Sequence, residues 1–182
     1  MPIAPSASHG TSGVVRPSTP PASHLPPDRA AAAFVSAVPF EHERVGAAAV
    51  YCADGRYGDQ MDEFLHLGLG LPRYDRVAVP GGAACLADHI QAVRERGALD
   101  RQLRFLIEAH ELTRVVLIAH QDCGFYKTVR WRAASLEAQQ SIDLARAAEK
   151  IREYAKGLDV DAYIAKRTAD GAVRFDPVAA GR

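Results

Sequence analysis

The stretch VLIAHQDCGFY, Val116 to Tyr126, begins as a core strand and ends in reactive side chains. Val116, Leu117, Ile118 and Ala119 form an apolar run that, with Thr113 to Val115 before it, predicts a buried strand over Thr113 to Ala119. His120 and Cys123 follow at once, with only Gln121 and Asp122 between them. An imidazole and a thiol at a strand end can be packing, redox chemistry or metal ligands, and the rest of the chain decides between these.

Outward from this strand, strand-like and helix-like segments alternate. VGAAAVY (Val45 to Tyr51) predicts a first buried strand, followed by a helical stretch around DQMDEFLHL. DRVAVP (Asp75 to Pro80) predicts a second strand, stopped by two glycines, and a longer helical region follows from about Leu86 to Glu111. Beyond the third strand, Leu144, Ala147, Ala148, Ile151, Tyr154 and Ala155 recur on one helical face until Gly157. DAYIAK and AVRF then flank RTADG, where Asp170-Gly171 signals a turn and a closing hairpin or edge strand. The expected fold class is therefore α/β, with a central, mostly parallel sheet of four strands plus an edge strand, flanked by helices.

The N-terminal part differs in kind. Eight of the 11 prolines lie in the first 40 residues, among Ser, Ala, Gly and His. Few large apolar groups there offset the entropy of ordering, so residues 1–28 read as a disordered tail and 29–182 as a single domain. DRAAAAFVSAV suggests a short helix capped by Asp28.

Composition narrows the functions. The 182 residues are 48% hydrophobic and 24% charged, and 22 basic residues balance 22 acidic ones. That balance gives no footprint for nucleic acid or an anionic membrane and suits a small substrate. Three cysteines are too few for a disulfide framework and read as reduced thiols in a cytoplasm. No apolar run approaches the roughly 18 residues of a membrane helix, and the signal-like RAAAAFVSAV starts at Arg29 without a basic leader, so export is not expected.

Ligands of parallel sheets bind beyond the carboxyl ends of the strands. Three predicted strands end in marked residues: Tyr51 runs into Cys52, Val79 approaches Gly81-Gly82, and Ala119 runs into His120. If the first and third strands are neighbours, Cys52, His120 and Cys123 converge. Two thiolates and one imidazole suit zinc, and three protein ligands leave a fourth position open, as catalytic sites require. In CADGR (Cys52 to Arg56), Asp54 and Arg56 can pair by charge-assisted hydrogen bonds, which keeps the carboxylate ionised.

CADGR followed by AHQDCG (Ala119 to Gly124) resembles the C-x-D-x-R and H-x-x-C-G motifs of the β-class carbonic anhydrases. The resemblance runs from about Val45 to the last hairpin. It implies a zinc-dependent lyase that reversibly hydrates carbon dioxide to bicarbonate through a zinc-bound hydroxide, with zinc lowering the pKa of bound water to about 7. Cys52, His120 and Cys123 would hold the zinc. Asp54, drawn from the metal by Arg56, would aim the hydroxide; in some members the aspartate ligates zinc instead. The resemblance also implies a homodimer or a multiple of dimers.

The departures from the family are specific. VPGGAA (Val79 to Ala84) replaces the usual Arg-Asn-Ala-Gly-Asn, Ala119 stands where glycine precedes the metal histidine, and Gly55 stands where serine is common. Relatives of similar pattern hydrolyse carbon disulfide or carbonyl sulfide, which an apolar entrance would fit. A non-catalytic zinc-binding homologue is a further alternative. A nucleophilic or redox Cys52 is disfavoured, because only three residues separate it from Arg56, whereas a phosphate-cradling cysteine loop needs five. Cys85 reads as core packing, with a Cys85/His89 metal pair the weaker reading, and His66 and His110 read as helix-surface residues.

Overall fold

Two apolar runs, Ala47–Cys52 and Arg114–His120, need cover on both faces and dictate the architecture. The structure, a computed structural model, describes residues 33–180. The tail expected to be disordered over 1–28 lies outside the described residues, as does the Asp28 cap. The described part of the short helix expected there, 33–38, is not helical. Its apolar side chains find no cover, with Phe34 92% and Val38 78% exposed, and Pro39 disfavours helical backbone at Val38. The chain divides into two units, Met1–Glu41 and His42–Arg182; the fold and site belong to the second.

Along that unit the elements are β1 (Ala47–Cys52), α1 (Gly58–Glu63), β2 (Asp75–Val79), α2 (Val93–His110), β3 (Arg114–His120), α3 (Leu136–Arg152), β4 (Asp159–Arg167) and β5 (Val173–Pro177). One sheet joins the strands in the order β2-β1-β3-β4-β5. The first four are parallel, and β5 pairs antiparallel with β4 after the turn at Gly171. The α/β class, the parallel four and the edge strand all agree with the sequence reading.

The two central strands are buried along almost their whole length. Alternation assigns their side chains: Ala48, Val50, Val115 and Leu117 pack toward α2 and α3, while Ala47, Ala49, Val116 and Ile118 pack with Met61 and Leu65 on the other face. Leu99, Leu103 and Ile107 of α2 recur every four residues and supply its buried stripe.

Helix α2 begins at Val93, not near Leu86. Short 3-10 turns at Gly82–Leu86 and Ile90–Ala92 precede it, with Ala87 and His89 extended between them. The segment has helical composition, but His89 is buried and bonded to Asp143 of α3, and that tertiary contact overrides propensity. Helix α3 starts earlier than its apolar periodicity shows, because Ser135 caps it by accepting from the Ala138 amide. No helix among the described residues is long and apolar enough to cross a membrane.

This topology positions a site. From β1 the chain passes to β2 on one side, and β3 then lies on the other side of β1. The carboxyl ends of β1 and β3 therefore flank the crevice where such sheets bind ligands. Tyr51 registers with Ile118, which brings Cys52 beside the end of β3.

Candidate metal centre

Cys52 is the last residue of β1, and its neighbours form a tight local structure. Asp54 caps the single 3-10 turn Gly55–Tyr57 by accepting from the Arg56 amide at 3.1 Å. The Arg56 guanidinium grips the same carboxylate, with Nε 2.9 Å from Oδ1 and 3.2 Å from Oδ2. Those bonds hold Asp54 well below the usual carboxylate range and push Arg56 further up. Asp54 is thus an ionised acceptor turned toward Arg56, as the pairing reading expects.

The Gly81-Gly82 loop, where the chain departs most from the family motif, closes over Cys52. The Gly81 amide donates to Cys52 Sγ at 3.3 Å. Both glycines have left-handed backbones, with φ +83° and +53°. A Cβ on Gly82 would stand 2.6 Å from the Tyr51 carbonyl carbon and 2.7 Å from the Cys52 nitrogen, and one on Gly81 would strike the Phe125 ring. Only glycine lets this backbone lie against the ligand strand.

At the end of β3, His120 is 1% exposed. Its Nδ1–H donates to the Gln121 carbonyl at 2.8 Å, which leaves Nε2 as the bare acceptor. Tyr57 fixes this arrangement: its ring lies 4.5 Å from the imidazole, and its hydroxyl donates to the same carbonyl at 3.3 Å. Asp122 then takes φ +57°, a left-handed turn that short acidic side chains tolerate, and Cys123 follows.

The ligand atoms of Cys52, His120 and Cys123 lie within 4.8 Å of one another, the group among the described residues so placed to hold an ion. The sulfurs are 3.8 Å apart. Cys123 donates to Cys52, and that bond, opposed by burial and helped by His120 and the Gly81 amide, brings the Cys52 thiol down to about 4. The Cys52 thiolate and burial push Cys123 up in turn. The two sulfurs thus share a proton that a cation would displace. His120 Nε2, buried and without a hydrogen-bond partner, is the third donor such a cation would satisfy. The residues fit a metal ion.

The remaining sequence candidates separate from the site. Cys85 is buried, donates to the Pro80 carbonyl at 3.0 Å and is pushed up to about 11 mainly by burial; His89 is bonded to Asp143, so the two do not form a metal pair. His66 lies against the Tyr74 ring, and His110 bonds Asp75 at 2.6 Å. A cavity of about 740 Å³ is lined by Val79 and Pro80 at the end of β2, by Gly124 and Phe125 after Cys123, and by Glu95 and Gln102 of α2; none of Cys52, Asp54, His120 and Cys123 lines it. Sequence reasoning missed Tyr57, the Gly81 amide and Gln140, whose Nε2 donates to the His120 carbonyl at 2.7 Å. Tyr57 follows CADGR directly and could have been weighed; Gln140, four residues before Leu144, extends the apolar stripe of α3, a signal for burial but not for its partner.

Residues 42–173 match the family model described as "Putative carbonic anhydrase". This span holds most of the chain and all three ligand candidates, and the chain belongs to that carbonic anhydrase family. Two solved structures are similar. The β-carbonic anhydrase CafA of the fungal pathogen Aspergillus fumigatus is 16% identical over 77% of this chain and 78% of its own, with a TM-score of 0.45. A carbonic anhydrase from Streptococcus mutans is 18% identical over 81% of this chain and 89% of its own, with a TM-score of 0.40. Comparison with curated proteins gave no match.

Proposed function

We propose that this protein is a zinc-dependent carbonic anhydrase that reversibly hydrates carbon dioxide to bicarbonate. One observation carries the reading: the bare, buried Nε2 of His120 faces two thiols that share a proton, beside an ionised Asp54. Cys52, His120 and Cys123 would hold the zinc. When bound, zinc supplies a Lewis acid that brings the pKa of water to about 7.

The chain's own residues supply orientation. Asp54 accepts a hydrogen bond from the reacting water and so aims its lone pair at carbon dioxide. Arg56 keeps that carboxylate ionised and holds both its oxygens. Tyr57 and the Gln121 carbonyl hold His120 in the tautomer that presents Nε2. The Gly81 amide steadies the Cys52 thiolate. The Gly81-Gly82 loop beside Cys52, which carries no polar side chain, leaves a second reading, hydrolysis of carbon disulfide or carbonyl sulfide on the same residues. The free thiols Cys52, Cys85 and Cys123 suit a reducing cytoplasm, and a homodimer is the assembly proposed, to be read by sedimentation.

Zinc stoichiometry measured together with stopped-flow carbon dioxide hydration tests the proposal. Cys52→Ala and His120→Ala are expected to lose both metal and activity. Asp54→Asn is expected to keep metal and lose about 100-fold in rate. Full hydration by Asp54→Asn would overturn the role of Asp54. Stoichiometric zinc with no hydration between pH 7 and 9 would leave sulfur-analogue hydrolysis, assayed on the same sample, or a non-catalytic homologue.

A further inference from the structure

Helix α3 reaches the metal loop from a distant part of the sequence. Gln140 holds the His120 carbonyl at 2.7 Å, and Asp143, one turn further on, is 1% exposed. Its carboxylate accepts from the Tyr126 hydroxyl at 2.9 Å, from His89 Nε2 at 2.8 Å and from Gln139 Nε2 at 2.8 Å. All three donors are themselves buried, Tyr126 at 5%, His89 at 7% and Gln139 at 6% exposed. A carboxylate at this depth is costly unless its lone pairs are used, and well-packed apolar residues of similar volume would often serve stability as well.

What the cluster joins explains its use. Tyr126 stands in the 3-10 turn Gly124–Lys127 that follows Cys123, and its amide bonds back to the Cys123 carbonyl at 3.3 Å. His89 ends the segment that begins with the Gly81 amide on Cys52 Sγ. Asp143 therefore ties together, on one rigid helix, the two loops that approach Cys52: one carrying a ligand, the other a hydrogen bond to a ligand.

We propose that Asp143 is a positioning residue of the metal centre, which fixes the Cys123–Tyr126 turn and the Gly81–His89 segment so that Cys123 Sγ and the Gly81 amide meet Cys52. This inference rests on reading Cys52, His120 and Cys123 as a metal site. Metal ligands are held in geometry by such outer partners, whose loss weakens metal binding roughly 10–100-fold.

The test titrates cobalt(II) into metal-free protein and its Asp143→Asn and Tyr126→Phe variants. Tyr126→Phe removes one hydroxyl at constant shape and carries the test if Asp143→Asn fails to fold. Both variants are expected to bind cobalt at least tenfold more weakly than the wild type, with shifted thiolate-to-cobalt and ligand-field bands. Amide hydrogen exchange across 121–127 in the metal-free variants is expected to quicken, while 114–119 stays protected. Tyr154→Phe, which removes a comparable hydroxyl bond to Asp100 at the far end of α3, is the control and should leave cobalt affinity unchanged. Wild-type affinity and spectrum in both variants, with only a lowered melting temperature, would overturn the proposal. A wild type that binds no cobalt would overturn the metal reading itself, while the exchange measurement would still report whether Asp143 holds the loop.

Discussion

The two strand ends that build the centre are made in opposite ways. At the end of β1, Asp54 and Arg56 stand two and four residues beyond Cys52 and find each other within one turn. Arg56 is largely exposed, and its chemistry is complete within five consecutive residues. At the end of β3, His120 and Cys123 are also close in sequence, but the contacts that hold them come from Tyr57, Gln140 and Asp143, 17 to 63 positions away from the residue each touches. The first end brings its own carboxylate and the guanidinium that holds it; the second is gripped from outside and buried. Substitution of the groups around the sulfurs and the imidazole should therefore report different things: on the proposed function, loss of Asp54 or Arg56 reads out in rate, and loss of Tyr57, Gln140 or Asp143 in metal affinity and stability.

The largest effect is expected where a distant loop presses on the first end. Gly82→Ala places a Cβ against the Tyr51–Cys52 backbone at a left-handed φ, where no flexible side chain can yield. Overpacking and backbone strain together should cost about 3 kcal/mol, read as a lower denaturant midpoint at unchanged slope. A stability loss no greater than that of an exposed Gly→Ala change would mean that the loop does not bear on β1 as described.

A smaller effect separates the two ends directly. Gln140→Ala leaves the buried His120 carbonyl without its donor and should cost about 2 kcal/mol, together with a weaker hold on metal. Arg56→Ala removes an exposed partner and should barely move the midpoint, because exposed ion pairs contribute little. Its effect should appear in hydration rate, through the freed Asp54 carboxylate. Equal midpoints for the two variants would break the contrast between a self-contained end and one held from outside.

The same contrast explains what could be read from the sequence. The sheet was legible because β1 and β3 are apolar runs that need cover on both faces, and the candidate ligands were legible because Cys52 and His120 stand at strand ends and Cys123 follows three residues later. Asp54 and Arg56 were legible because their partnership is local. Gln140 and Asp143 were not: they stand one turn before Leu144 and Ala147 on the apolar stripe of α3, which places them on the buried face, but the groups they bond are set only when the helix docks. The start of α2 differs for the same reason: Leu86 to Ala92 has helical composition, but Ala87 and His89 are extended, and His89 is held there by its buried bond to Asp143. Local chemistry was visible; chemistry assembled by docking was not.

The smallest effect, and the sharpest on the centre itself, lies in the thiols of the metal-free protein. Cys123 and the Gly81 amide both donate to Cys52, which brings its thiol down to about 4, whereas burial pushes Cys85 up to about 11. Cys52 is only partly buried and Cys85 almost wholly so. A lowered pKa means that the thiolate, the nucleophile, is present at every pH above about 4, so alkylation of Cys52 at pH 6 should proceed while Cys85 stays protonated and unlabelled. Cys123, which carries the shared proton, should label more slowly than Cys52. Zinc added beforehand should protect both Cys52 and Cys123, because a metal-held thiolate no longer offers its lone pair, and should leave Cys85 as it was. Peptide mapping after a short iodoacetamide pulse reads all three. Equal labelling of Cys52 and Cys85 at pH 6 would show that Cys123 does not hold the Cys52 sulfur as a thiolate across their 3.8 Å approach, and the donor set would lose the feature that most favours a cation.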